Sequence, residues 1–219
     1  MPLVLLCAAC APRMRFPGPV SVVGKERHER HAPVAGREHA ARGDETGQRV
    51  ARAAASFVGK NHLVVDGKRY RWDCSGFVEA AYAKAGLDYE GSSADLYATA
   101  RAGGLLSKGK APRVGDVVFF DDTYDRNNNG RRDDELSHVA IVESIDAAGT
   151  ITLVHNGSKG IVRIHMNLRR PHDRTDESGA VINDYLRAAK DSDRGPVLSG
   201  ELFRAFGSLW GPADAIADR

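Results

Sequence analysis

Residues 72–78 read Trp72-Asp73-Cys74-Ser75-Gly76-Phe77-Val78, and the pattern that begins there organises the rest of the chain. From Ser75 to Ala85 the apolar side chains Phe77, Val78, Ala81, Tyr82 and Ala85 recur at helical spacing, and Gly86 stands where a helix would stop. The spacing predicts a helix with Cys74 at its N-terminus. Unpaired backbone N–H groups and the positive end of the helix dipole favour an anion there. A thiol in that place is expected to have a lowered pKa, and the thiolate is the reactive form. Ser75-Gly76 leaves its approach uncrowded, and Asp73 reads as a local hydrogen-bonding residue that fixes the turn into the helix. Cys7 and Cys10 lie at the extreme N-terminus, so Cys74 has no disulfide partner in the body of the chain. Packing as a small hydrophobe is the alternative role for an isolated thiol.

Before this stretch, Val50, Ala53, Ala54, Phe57 and Val58 predict an amphipathic helix over 46–60, and Asp66-Gly67 signals a tight turn. After it, 92–102 reads as a short helix capped by Ser92 or Ser93. The character then changes to strands at 115–120, 138–142, 150–155 and 160–165, with Asn156-Gly157-Ser158-Lys159 as a hairpin signal between the last two. Helices first and antiparallel strands afterwards predict an α+β domain. A closing helix is expected over 201–209, and no internal repeat is present.

The chain has 219 residues, 42% hydrophobic and 27% charged, enough for one core with appendages. A net charge of +2, with no basic stripe, argues against nucleic acid as a partner. No stretch reaches the roughly 20 apolar residues of a membrane-spanning helix. Four segments are expected: an address-like piece at 1–10, a Pro- and Gly-containing tether at 11–44, a catalytic domain at 45–170 and an extension at 171–219 packed on it. The short apolar run ending Ala8-Ala9-Cys10 resembles a bacterial lipobox. It implies export to the cell envelope and lipidation at Cys10, with membrane contact through the anchor only.

Four blocks in order carry a family resemblance. Asp73-Cys74-Ser75-Gly76-Phe77-Val78 resembles the nucleophile motif of the NlpC/p60 cell-wall peptidases, a papain-like family. Residues 112–120, the His138-Val139-Ala140-Ile141-Val142 run and His155-Asn156-Gly157-Ser158 resemble its succeeding strands. The resemblance implies N-terminal helices on a small antiparallel sheet, Cys74 as nucleophile, His138 as its base and His155 as the orienting group. Asn156 would replace His155 if the strand register slipped by one residue. The implied substrate is the peptidoglycan stem, cut at the D-γ-glutamyl–diamino acid bond without a catalytic cofactor, by a protein expected to be monomeric. An N-acetylmuramoyl-L-alanine amidase using the same Cys–His pair, as in CHAP-type enzymes, is the alternative, and a catalytically idle wall-binding protein is a third reading. Backbone N–H groups at the helix start would hold the oxyanion. The family places a Tyr about a dozen residues before the Cys; here His62 and Tyr70 lie nearest that place, so the candidate oxyanion and substrate residues are Ser75, His62, Tyr70 and Trp72.

One further motif stands apart. Residues 125–135 set Asp125, Asn127, Asn129, Arg131 and Asp133 at alternate positions, with Gly130 sixth, as in a calcium-binding loop. Position twelve is Leu136 instead of Glu, and Glu135 or Asp134 would have to substitute. The expectation is a structural calcium ion, or else a polar surface loop.

Overall fold

The computed structural model describes residues 34–109 and 112–211, with side chains described from Glu45 onward. All of these belong to the unit Pro33–Arg219. Its elements, in order, are α1 (Val34–Ala55), β1 (Val64–Val65), β2 (Lys68–Arg69), α2 (Cys74–Lys84), α3 (Ser93–Ala102), β3 (Leu106–Ser107), β4 (Val117–Phe120), β5 (His138–Ile145), β6 (Ile151–Gly157), β7 (Gly160–Met166) and β8 (Phe203–Gly207). A short 3-10 turn covers Ala189–Arg194. The fold is α+β, as the residue pattern predicts.

The main sheet is antiparallel, with strand order β3-β8-β4-β5-β6-β7. Its centre is β4, whose four residues are all buried. Val117 and Phe119 face a core shared with the helices, through Val50, Phe77, Val78 and Tyr82. Val118 and Phe120 face a second core, with Leu153, Met166, Leu202 and Phe206. Both faces of the sheet are therefore covered, which is why Val-Val-Phe-Phe runs apolar without alternation. On the first face α1 and α2 pack on one another and across β5, and α2 also meets β6.

Local chemistry sets the element ends. Asp73 caps α2, its carboxylate accepting from the Gly76 N–H at 2.7 Å. Ser92 and Asp95 form a reciprocal capping box on α3. Asp66 and Gly67, at φ 48° and 81°, make the two-residue turn between β1 and β2.

Three expectations change. Helix α1 starts at Val34 and ends at Ala55, so it begins inside the 11–44 segment read as a tether; the rest of that segment, and Cys10, lie outside the described residues. The closing helix expected over 201–209 is instead strand β8, inserted between β3 and β4. Pairing partners on both sides override the weak local pattern there. Residues after 170 thus return to the middle of the sheet. Lastly, the turn of the β6–β7 hairpin is Ser158-Lys159, while Gly157 ends β6 opposite Gly160.

Candidate active site

The start of α2 and the starting end of β5 meet at the thiol. Cys74 is partly buried, the first residue of its helix. The backbone N–H groups of Val139, of Ser75 and of Cys74 itself favour its anionic form. Their effect does not prevail. Burial pushes the thiol up, as the largest cause, and the neighbouring Asp73 carboxylate raises it further. The lowered thiol pKa expected from the helix start is therefore corrected: at rest Cys74 is a protonated thiol. A desolvated site and an adjacent anion outweigh the amide groups.

His138 begins β5 and is buried, and its Nε2 lies 2.8 Å from Nδ1 of His155. The rings meet edge to face, with centroids 5.0 Å apart. Strand geometry explains the meeting. Ile141 pairs with Val154, so continuing that register puts His155 opposite Ala140 and diagonal to His138 on the same face. Burial lowers His138 to about 3, with His155 adding to the effect. Burial likewise lowers His155 to about 4, partly opposed by the Asp184 carboxylate. Both rings are neutral near pH 7. His138 and Cys74 share no hydrogen bond among the described residues; the polar contact of the imidazole is the one between Nε2 and His155 Nδ1.

His155 depends on its neighbour. A Cβ at residue 157 would stand 2.8 Å from His155 Cε1, so only glycine fits beneath the ring. The sequence reading treated Gly157 as a turn residue and missed this role. Asn156 is turned the other way, its Nδ2 donating to the Asp73 carbonyl at 3.4 Å.

The other candidates divide. The Ser75 hydroxyl donates to Asp73 Oδ1 at 3.0 Å and accepts from Arg71, so it is engaged within the cap; only the Ser75 backbone N–H serves the sulfur. His62 is exposed and bonded to its neighbour Asn61 at 2.8 Å. Tyr70 is packed against the helix-side core, with the Lys68 ammonium 5.0 Å from its ring centre. Trp72 is 47% exposed and borders Gly160 of the β6–β7 hairpin.

Sequence reasoning missed a clamp behind the nucleophile. Glu79 is buried on α2 and accepts from Arg71 Nη2 at 2.6 Å and from the Gly91 N–H at 2.9 Å. The same Arg71 nitrogen donates to the Gly91 carbonyl at 2.7 Å. A carboxylate inside the apolar run Phe77–Tyr82 signals that a partner exists; its identity is not in the local pattern.

The loop at 125–135 is held by its own amides. Asp125 accepts from the N–H groups of Asn129 and Gly130, Asn127 Oδ1 from that of Asn129, and Asn129 Oδ1 from that of Arg131. Asn129 Nδ2 donates to both Asp133 oxygens. Among the described residues no group of three or more His, Cys, Asp or Glu side chains is arranged to hold a metal ion.

A thiol at a helix start, a strand that opens on a histidine and a second histidine ring against it are the parts that a cysteine–histidine hydrolase uses. Residues 65–157 match the CHAP domain, a cysteine/histidine-dependent amidohydrolase/peptidase domain of cell-wall hydrolases. The match takes in Cys74, His138 and His155 and stops before β7. It carries the hydrolase class and peptidoglycan as substrate, without reaching the NlpC/p60 family in particular. No curated protein and no solved structure matches the chain.

Proposed function

We propose that the protein hydrolyses the peptide stem of peptidoglycan at the D-γ-glutamyl–diamino acid bond, with Cys74 as nucleophile, His138 as general base and acid, and His155 as the orienting group. The 2.8 Å contact between His138 Nε2 and His155 Nδ1 is the observation that carries this reading. It fixes the imidazole, and we assign the proton transfer to Nδ1, the nitrogen that His155 does not engage, in the tautomer whose Nε2–H donates to His155 Nδ1. Because thiol and imidazole are both neutral at rest, the proton moves from Sγ to His138 as the sulfur attacks the carbonyl. The Sγ–C bond forms, the C–N bond breaks, and His138 returns its proton to the departing amine. Water, deprotonated by His138, then releases the acyl group. Asp184 favours the transient imidazolium on the histidine pair.

The CHAP match is equally compatible with a second reading, cleavage of the bond between the muramyl lactyl group and L-alanine. Mass analysis of fragments from purified peptidoglycan separates the two. New amino termini on the diamino acid support the endopeptidase, and new termini on L-alanine replace it with the amidase.

Two parts of the proposal rest on sequence alone. Export with lipidation at Cys10 predicts membrane association that Cys10→Ala abolishes; membrane association unchanged by that substitution refutes it. A structural calcium ion in the 125–135 loop predicts a melting temperature that rises with calcium and falls with chelator. A melting temperature indifferent to both removes the ion from the account.

A further inference from the structure

Strand β8 carries one residue more than its partner can match. Phe119 pairs with Ala205 and Phe120 with Phe203, so Arg204 between them has no opposite number on β4. A bulge of this kind re-aims the side chain of the extra residue. Arg204 Nη1 donates to Asp121 Oδ2 at 2.9 Å and lies 3.5 Å from Glu135 Oε1. Its guanidinium centre is 5.9 Å from the centre of the Tyr97 ring on α3. The Arg204 and Asp121 side chains are only 30% and 24% exposed, so solvent ions screen this pair less than one on the open surface.

The other oxygen of Asp121 holds the backbone that leads into β5. Asp121 Oδ1 accepts from the Leu136 N–H at 2.8 Å. Leu136 stands at φ 51°, in the left-handed region where a Cβ crowds the following carbonyl oxygen. Its carbonyl is held as well, accepting from the hydroxyl of Ser93, the first residue of α3, and from Arg126 Nη2 at 3.0 Å. Ser137 follows, buried, its hydroxyl accepting from the Thr123 N–H at 2.9 Å. His138 comes next and pairs with Phe120, the residue before Asp121. A leucine keeps a left-handed backbone only where its surroundings impose it.

We infer that Arg204 is a positioning residue for His138, acting through Asp121 and the left-handed turn at Leu136. The inference rests on the hydrolase reading above, in which His138 is the base. Arg204 orients the Asp121 carboxylate, and the carboxylate pins the Leu136 N–H. The pinned turn sets the direction in which the chain enters β5, and with it the ring that meets His155. Without the guanidinium the carboxylate turns toward water, and Leu136 relaxes to negative φ two residues before His138. Arg204 lies beyond the residues that match the CHAP domain, so a strand from outside the match sets the geometry of a histidine within it.

The test follows the proton shared between His138 Nε2 and His155 Nδ1, by proton NMR of the full-chain Cys74→Ala protein, which needs no turnover. Arg204→Met keeps the length of the side chain and removes its charge. It is expected to shift that resonance and speed its exchange with water at least about tenfold. Adding Leu136→Gly, which takes positive φ without support, is expected to restore both. Asp121→Ala should behave as Arg204→Met does. Arg170→Met, which breaks the pair with Asp173 elsewhere on the surface, should leave the proton as it is. With the thiol present, Arg204→Met should lower kcat on peptidoglycan about tenfold with KM within about twofold, and Arg204→Lys should recover part of the loss. A merely structural role predicts a lower melting temperature with the shared proton undisturbed. That result overturns the inference, as does a disturbed proton that Leu136→Gly fails to restore, whether or not wild type cuts peptidoglycan. No cleavage by wild type, together with the expected behaviour of the proton, would instead refute the hydrolase reading and leave Arg204 as the group that sets the histidine pair.

Discussion

Asp73 acts on the nucleophile in two opposed ways, and the opposition can be measured. Its carboxylate caps α2 through the Gly76 N–H, and its charge raises the adjacent thiol. Asn keeps the cap and removes the charge, so Asp73→Asn should lower the Cys74 pKa and speed its alkylation by iodoacetamide near pH 7, with little loss of stability. Asp73→Ala should cost about 1 kcal/mol in denaturant melts through the lost cap. Alkylation profiles that coincide for wild type and Asp73→Asn would remove the charge effect. The two histidines make a pH prediction. Their folded pKa values, about 3 and about 4, lie below the 6.5 of the unfolded chain. Between those limits the unfolded state binds more protons, so stability is full above about pH 6.5 and falls as pH drops, by ~1.4 kcal/mol per unit for each ring. Thermal melts of His138→Gln/His155→Gln should show a flatter acid limb than wild type; parallel limbs would contradict the burial of neutral rings. Gly157→Ala should push the His155 ring aside and cut kcat about a hundredfold, read in turnover assays beside an unchanged fold by circular dichroism.

At the scale of elements, what holds the nucleophile helix is a buried carboxylate. Glu79 ties α2 to Arg71 on one side and to the segment at Gly91 on the other. Removing it strands a half-exposed guanidinium and a backbone N–H, so Glu79→Ala should destabilise by about 2–3 kcal/mol in chemical denaturation. A change below about 0.5 kcal/mol would show the clamp to be incidental. The elements around the site were legible where their own residues specify them: the 3.6-residue spacing of Phe77 to Ala85, the cap Ser92 with Asp95, the strand opening on His138 and the apolar run of β4. Elements fixed by distant partners were not. Nothing within 201–209 reveals that β3 and β4 await a strand between them, and the cap that detains the Ser75 hydroxyl depends on Arg71, four residues away but outside the helix. Cys74 was found from its place at a helix start, yet the direction of its pKa was misjudged, because burial is a property of the packed fold and not of the helix end.

The whole molecule is one sheet whose middle is closed from the far end of the chain. Strand β8 lies between β3 and β4, and Phe206 is fully buried on the second face. A chain ending at residue 170 therefore lacks an interior strand and should not give a cooperative melt, and Phe206→Ala should cost about 3–5 kcal/mol. A stable, active 1–170 fragment would show that the sheet closes without β8. The order of the chain also places the segment 184–188 over the histidine pair, a consequence of tertiary return that no local pattern announces. The account's central claim is that one thiol drives hydrolysis of the cell wall, and the most direct measurement is release of soluble fragments from purified peptidoglycan by wild type and Cys74→Ala side by side. The account predicts steady release by wild type and a loss of at least about a thousandfold in a Cys74→Ala protein that melts normally. Equal release by the two proteins, or none from a folded wild type, would contradict it.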